Sequence, residues 1–333
     1  MTQVTATVDF NAPGKQVGWL RVPHSVTRSA YGVIPVPIAV LNNGPGPGIM
    51  LVAGTHGDEY EGQVVLTRLV REMRAEDISG RLIILPSLNT PAAMAGLRTS
   101  PLDDGNLNRA FPGDPDGGPT AKIAHYVHNH LVPLVDVVAD FHGGGSSLAY
   151  RPHASTHFAA DAAPELKQRS LDAVKALGLR HVMIFELPAS SGAGMSTATR
   201  QHGKIYLNGE YGGTGSLTQD GIGLVEGAVH RLLAFFGATD ATLPALPPPQ
   251  ALRIFGPSAY VYAPDAGVFV PARRLSDSVA AGDICGELIF PENPDRAPIV
   301  LRFEGAGDVV CQRHPARVER GDCVAHLARP VDG

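Results

Sequence analysis

A chain of 333 residues, 44% hydrophobic and 18% charged, is long enough for one large domain and a smaller one, each with a packed core. A formal net charge of −5 supplies no basic surface for nucleic acid or an anionic membrane, and no apolar run approaches the length of a membrane span. The 38 glycines and 28 prolines point to many turns and short loops and away from a helical bundle. Three cysteines, Cys285, Cys311 and Cys323, cannot all pair with one another and have no metal-site spacing. They read as inert thiols of a reducing compartment. Residues 1–11 have no basic stretch leading into an apolar one, so the expectation is a cytoplasmic protein without a signal peptide.

Residues 1–46 alternate short β-type runs (17–22 and 33–41) with turn residues and read as an N-terminal β extension. A charge-free apolar run, 49–53, then reads as a buried strand. Gly54 and Gly57 break it, and from Glu59 onward Val64, Val65, Leu69 and Val70 recur at helical spacing. Strands follow at 82–85, 135–141, 181–185 and 204–209, with helical stretches at 121–135, 163–177 and 223–236. This repeated order predicts an α/β catalytic domain over 47–242, built on a mainly parallel sheet flanked by helices. Residues 243–249, four of them proline, read as a stiff linker. Beyond it, short β runs and glycine turns predict a smaller all-β domain over 250–333. Its paired Gly-Asp turns are similar to those of the biotinyl/lipoyl carrier fold, but no lysine follows Lys204 to carry such a group.

In open parallel sheets the site lies beyond the carboxyl ends of the strands. His56, Glu59, Asn89, His142 and Glu210 all fall just past a predicted strand end. His56 and Glu59, three residues apart in the turn between strand and helix, offer an imidazole and a carboxylate, a ligand pair suited to zinc. His142 is the third candidate ligand, since Gly143, Gly144 and Gly145 behind it allow close backbone approach. Glu61 is expected to face solvent. Asn108 and Arg109, in a loop bounded by glycine and proline, can clamp a carboxylate or satisfy local carbonyls. His125, His128 and His130 read as decoration of a helix face, and His153 and His157 as residues of a loop beside the pocket. The Gly143–Gly145 run has no lysine after it and is not a phosphate loop, and no G-x-S-x-G elbow supports a serine hydrolase.

The combination of Gly54-Thr55-His56-Gly57-Asp58-Glu59, the Asn106-Leu107-Asn108-Arg109 run, His142, and Glu210 ahead of Gly212 and Gly213 resembles the succinylglutamate desuccinylase/aspartoacylase family, zinc amidohydrolases with a carboxypeptidase-A-like fold. The resemblance covers roughly residues 45–330. It implies one Zn2+ per chain on His56, Glu59 and His142, with Glu210 as catalytic base. It also implies that Asn108 and Arg109 hold a substrate carboxylate and that Arg98 matches the family's oxyanion-stabilising arginine, at a longer spacing from the Asn-Arg pair than in aspartoacylase. Arg200 corresponds in spacing to an arginine that binds a second carboxylate. The 100–106 segment and the long N-terminal β section look most like the branch that removes acetyl from the α-amine of N-α-acetyl-L-2,4-diaminobutyrate in ectoine degradation. Asp103 or Asp104 would be the acidic neighbour of that substrate's side-chain amine. The partner is then a small N-acyl amino acid, with no nucleic acid and no membrane, and homo-oligomerisation left open. The alternatives are a desuccinylase or aspartoacylase acting on another N-acyl amino acid, a carboxypeptidase-like peptidase, and a non-catalytic zinc or carboxylate binder.

Overall fold

The computed structural model describes residues 3–331. A single twisted sheet runs through the molecule, and its order differs from the order of the chain. Between the two-residue edge strands Thr5–Ala6 and Ser278–Val279 it follows Gly14–Pro23, Val33–Asn43, Gly80–Leu85, Gly48–Ala53, Val137–His142, Ile205–Glu210, His153–Ala159, His181–Leu187, Gln250–Arg253, Cys323–Pro330 and Gly307–Arg313. Gly48–Ala53 pairs in parallel with both Gly80–Leu85 and Val137–His142, and Ile205–Glu210 continues parallel to Val137–His142. His153–Ala159 then reverses direction against Ile205–Glu210 and pairs in parallel with His181–Leu187. The 1–46 section is thus not a separate layer. Its long hairpin, Gly14–Pro23 against Val33–Asn43, adds antiparallel to the edge of the same sheet.

Both faces of the central strands are covered, as their uninterrupted apolar sequences require. Every residue of Gly48–Ala53 is buried. Alternate residues divide between two cores. Ile49, Leu51, Val137, Ala139 and Leu207 pack beneath the helices Tyr60–Glu72, Pro164–Ala176 and Gln219–Phe235. Met50, Val52, Val138 and Tyr206 join the opposite core with the N-terminal hairpin and the Pro119–Tyr126 helix. Past residue 250 a four-stranded antiparallel sheet encloses its own core around Phe269, Leu288, Phe290 and Phe303. Strands of this region, among them Gln250–Arg253, Cys323–Pro330 and Gly307–Arg313, also extend the main sheet, so the β part is hydrogen-bonded to the α/β part.

Three local expectations are corrected. The helix expected over 121–135 is α-helical only across Pro119–Tyr126, widens to a π turn over Val127–Leu131 and tightens to 3₁₀ at Val132–Leu134. Pro133 lacks the amide hydrogen that an α-helix there would use. His153 and His157 lie on an interior strand of the sheet and not in a loop. Glu61 is 2% exposed and does not reach solvent.

Candidate active site

Pleating sets the chemistry on one face. Asp140 and His142 are two residues apart on one strand, as are Tyr206, Asn208 and Glu210 on its neighbour. The register pairs Asn208 with Asp140 and Glu210 with His142, and on the other side Glu210 with His153 and Asn208 with Ser155. Directly paired residues point the same way. One face therefore carries a row of polar side chains, while Leu207, Ala139 and Ala154 between them go to the apolar core beneath the helices.

At the end of that face the turn after Ala53 brings in His56 and Glu59. Gly57 permits this approach, because a Cβ there would lie 2.1 Å from the Ala92 carbonyl carbon. His56, Glu59 and His142 are all buried, and one donor atom from each lies within 4.8 Å of the others. Glu59 Oε1 is 2.8 Å from His56 Nδ1, and Oε2 is 2.8 Å from His142 Nδ1. The outer nitrogens are already engaged. His142 Nε2 donates to Asp140 Oδ2 at 2.8 Å, and His56 Nε2 donates to Asn106 Oδ1 at 3.2 Å. Asn106 Oδ1 also accepts the Asn108 amide, which fixes the orientation of its carboxamide. With each Nε2 held by an outward partner, Nδ1 of both rings is aimed at the Glu59 carboxylate. Three inward-facing lone-pair donors call for a cation between them, and the donor set of two nitrogens and one oxygen fits a zinc-type metal with a position left open.

The electrostatics agree. Burial alone would raise the Glu59 carboxyl, but His56 and His142 outweigh it and hold it well below the usual carboxylate range. Burial would lower the His142 imidazole, but Asp140 and Glu59 hold it well above its ordinary value. A site that draws a proton this strongly draws a metal ion for the same reason.

Glu210 faces this cluster from the adjoining strand. Burial and then the charge of Glu59 push its carboxyl well up, against the opposing pull of His142 and Arg98. Its Oε2 is buried and has no hydrogen-bond partner among the described residues. Arg98 reaches in from the loop, with Nη1 3.4 Å from His56 Nδ1 and 3.6 Å from Glu59 Oε1, and stays 44% exposed. Asn108 is fastened by its Oδ1, which accepts the Met195 amide at 3.0 Å and so leaves its NH2 as a donor. Arg109 is exposed, and its Nη1 donates to its neighbour's carbonyl, Asn108 O, at 2.8 Å. Arg200 is buried, and its guanidinium bonds the Ser191 carbonyl at 2.7 Å and the Ser196 hydroxyl at 3.2 Å. As placed, it braces the loop before its own helix. Asp103 bonds the amide and hydroxyl of Thr120 at the start of the Pro119–Tyr126 helix, and Asp104 is exposed with φ 52°. Neither acid joins the cluster.

The sequence profile of the succinylglutamate desuccinylase/aspartoacylase catalytic domain matches residues 45–236. The chain belongs to this family. It is 41% identical over 331 residues to the N-alpha-acetyl-L-2,4-diaminobutyric acid deacetylase of Halomonas elongata, covering 99% of this chain and 96% of that protein. A product-bound structure of an ectoine utilization protein from Ruegeria pomeroyi superposes with a TM-score of 0.93 at 33% identity, covering 99% of each chain. A succinylglutamate desuccinylase structure from Silicibacter sp. TM1040 gives 0.92 at 34% identity, with 98% of each chain covered.

In this member of the desuccinylase/aspartoacylase family, several supporting residues escaped the sequence reading. Asp140 and Asn106 orient the two histidines. Asp140 is itself held, with Oδ1 accepting the Thr55 hydroxyl at 2.9 Å. Its signal was available: an acid two residues before His142 on a strand must share its face. Asp58 Oδ2 accepts the Ser146 amide at 2.7 Å and pins the glycine turn behind His142. Glu61 lies against the turn after Glu210, where a Cβ on Gly212 would sit 2.1 Å from its Oε1. Burial raises the Glu61 carboxyl, opposed by the backbone amides of Glu61 itself and of Thr218. No local pattern separates such a glutamate from a solvated one on the first turn of a helix.

Proposed function

We propose that this protein is a zinc-dependent amide hydrolase that removes the acetyl group from the α-amine of N-α-acetyl-L-2,4-diaminobutyrate, a step in ectoine catabolism. The observation that carries the reading is the convergence of His56, Glu59 and His142 on one buried point, with Glu210 on the same sheet face. The 41% identity to a diaminobutyric acid deacetylase supports the substrate. Zinc, which His56, Glu59 and His142 would hold, would supply Lewis acidity toward the amide carbonyl and toward water.

The chain's own residues divide the remaining work. Glu210, with Oε2 free of any hydrogen-bond partner among the described residues, takes the proton of the attacking water and delivers it to the departing amine. Arg98 offers an N–H to the oxygen that gains charge in the transition state. The NH2 of Asn108 and the planar fork of Arg109 hold the α-carboxylate and fix register. Arg109 turns from the Asn108 carbonyl to do so, a side-chain rotation open to an exposed residue. Arg200 keeps the 188–197 loop in place, and with it the Met195 amide that orients Asn108. A small-molecule substrate in the cytoplasm suits a chain whose three cysteines are all free.

The test is acetate release by zinc-loaded protein from N-α-acetyl-L-2,4-diaminobutyrate, measured beside N-succinylglutamate, N-acetylaspartate and a dipeptide. Preference for the first is expected. Faster turnover of the dipeptide would move the protein to the peptidases, and preference for N-succinylglutamate or N-acetylaspartate would replace the substrate and keep the reaction class.

A further inference from the structure

Next to Glu210, on the side away from His142, lies a cavity of about 340 Å³ that the catalytic scheme does not use. Its floor is the polar face of the main sheet at His153 and Glu210, which are paired across adjoining strands. Tyr150, just ahead of the His153 strand, forms one wall, and Tyr260 and His326 come from the distant C-terminal strands. The rings form a continuous chain. Tyr150 lies 5.9 Å from His153 and 5.5 Å from His326, and His326 lies 5.1 Å from Tyr260, centroid to centroid.

The charge inventory of this cavity is distinctive. Among the described residues no lysine or arginine lines it, and Glu210 is its one acid. Burial pushes the His153 and His326 imidazoles down to about 4, so both stay neutral at physiological pH. His153 Nδ1 donates to the Arg151 carbonyl at 3.0 Å, which leaves Nε2 as an acceptor. His326 Nδ1 and His157 Nδ1 are buried and have no hydrogen-bond partner among the described residues. The walls thus present π faces and lone pairs with no cation among them. Such a lining stabilises an ammonium group, and it would leave a carboxylate without a counter-charge.

We propose that this cavity is the side-chain subsite of the enzyme, and that the ring chain of Tyr150, His153, His326 and Tyr260 selects substrates whose short side chain ends in an ammonium group. The proposal rests on the deacetylase reading for the reaction and goes beyond it in naming what distinguishes one acyl amino acid from another. It also gives the C-terminal strands a role, since Tyr260 and His326 lie on the paired strands Tyr260–Tyr262 and Cys323–Pro330, the second of which continues the main sheet. A carboxylate side chain, as in an aspartyl substrate, enters a cavity that cannot neutralise it.

The experiment compares N-α-acetyl-L-2,4-diaminobutyrate with N-acetyl-L-norvaline, which has the same side-chain shape with methyl in place of ammonium. Wild-type kcat/KM should favour the ammonium substrate by about tenfold, the scale of a partly desolvated cation–π contact. Tyr260→Leu should collapse most of that ratio, while Tyr260→Phe, which keeps the ring, should retain it. Calorimetric binding of free L-2,4-diaminobutyrate against L-norvaline to the wild-type protein gives a readout independent of turnover, again with tighter binding of the diamine. Equal kcat/KM for the two substrates in the wild type, or a ratio untouched by Tyr260→Leu in folded protein, overturns the subsite and leaves the hydrolase reading standing. Selective binding of the diamine with no hydrolysis of any N-acetyl amino acid does the reverse.

Discussion

Asp140 offers the sharpest test of the metal centre, because it is not one of the ligands and reaches them through its hydrogen bond to His142. Its Oδ2 accepts from His142 Nε2 at 2.8 Å and its Oδ1 accepts from the Thr55 hydroxyl at 2.9 Å, with the residue fully buried. In Asp140→Asn the amide oxygen can still accept from Nε2, and the Thr55 hydroxyl can rotate to accept from the new NH2. Geometry survives and charge is lost, so zinc affinity should fall toward the low end of the range for such outer partners, about tenfold. In Asp140→Ala no acceptor remains. The imidazole proton is then free to move to Nδ1, the atom that must face the metal, and the loss should approach about 100-fold, or roughly 2.7 kcal/mol. Removing a buried acceptor should also lower stability by about 1–3 kcal/mol, read in a denaturant titration of the metal-free protein. Zinc affinity is measured by competition with a chromophoric chelator at fixed pH. Affinity within twofold of wild type in Asp140→Ala would refute the idea that this hydrogen bond sets the ligand tautomer.

Three further outcomes are expected. Glu210→Gln should keep zinc by metal analysis and lose roughly 10²–10⁴ in kcat, the usual worth of a general base. Burial and Glu59 raise Glu210, and the base must be deprotonated, so wild-type kcat/KM should fall as pH drops through its pKa; that acidic limb should vanish in the Gln variant. Arg109→Lys keeps the charge without the planar fork, so KM should rise more than kcat falls for substrates with a free α-carboxylate, and substrates amidated there should not feel the change. The fold should be acid-labile: His153 and His326 are held at about 4 and His157 at about 3, so the unfolded chain binds more protons below about pH 6.5. The stability they confer is complete above that pH and is lost as pH falls from 6.5 toward 4, at about 1.4 kcal/mol per pH unit for each histidine. Urea midpoints flat across that window would contradict their burial as neutral groups.

The sequence itself determined the strand–loop–helix order of the central region, because apolar runs such as 49–53 and helical spacing after Glu59 are local physical signals. It also determined that His56, Glu59, His142 and Glu210 would gather. Each lies at the end of one of the parallel central strands of the mixed sheet, and such strands deliver their ends to the same edge. What it could not decide was which strands are neighbours. The Glu210 strand lies between those of His142 and His153, an order set by packing between segments far apart in the chain. The His153–Ala159 strand was missed for a related reason: its alternating His, Ser and His side chains look like a polar loop until a face of the sheet exists that needs them. Glu61 was read as solvated because nothing near it in sequence announces the Gly212 turn that closes over it. The pocket beyond Glu210 is the extreme case, with Tyr150, Tyr260 and His326 drawn from three separate stretches. Only the folding of the C-terminal strands onto the main sheet removes those rings from water and brings them together.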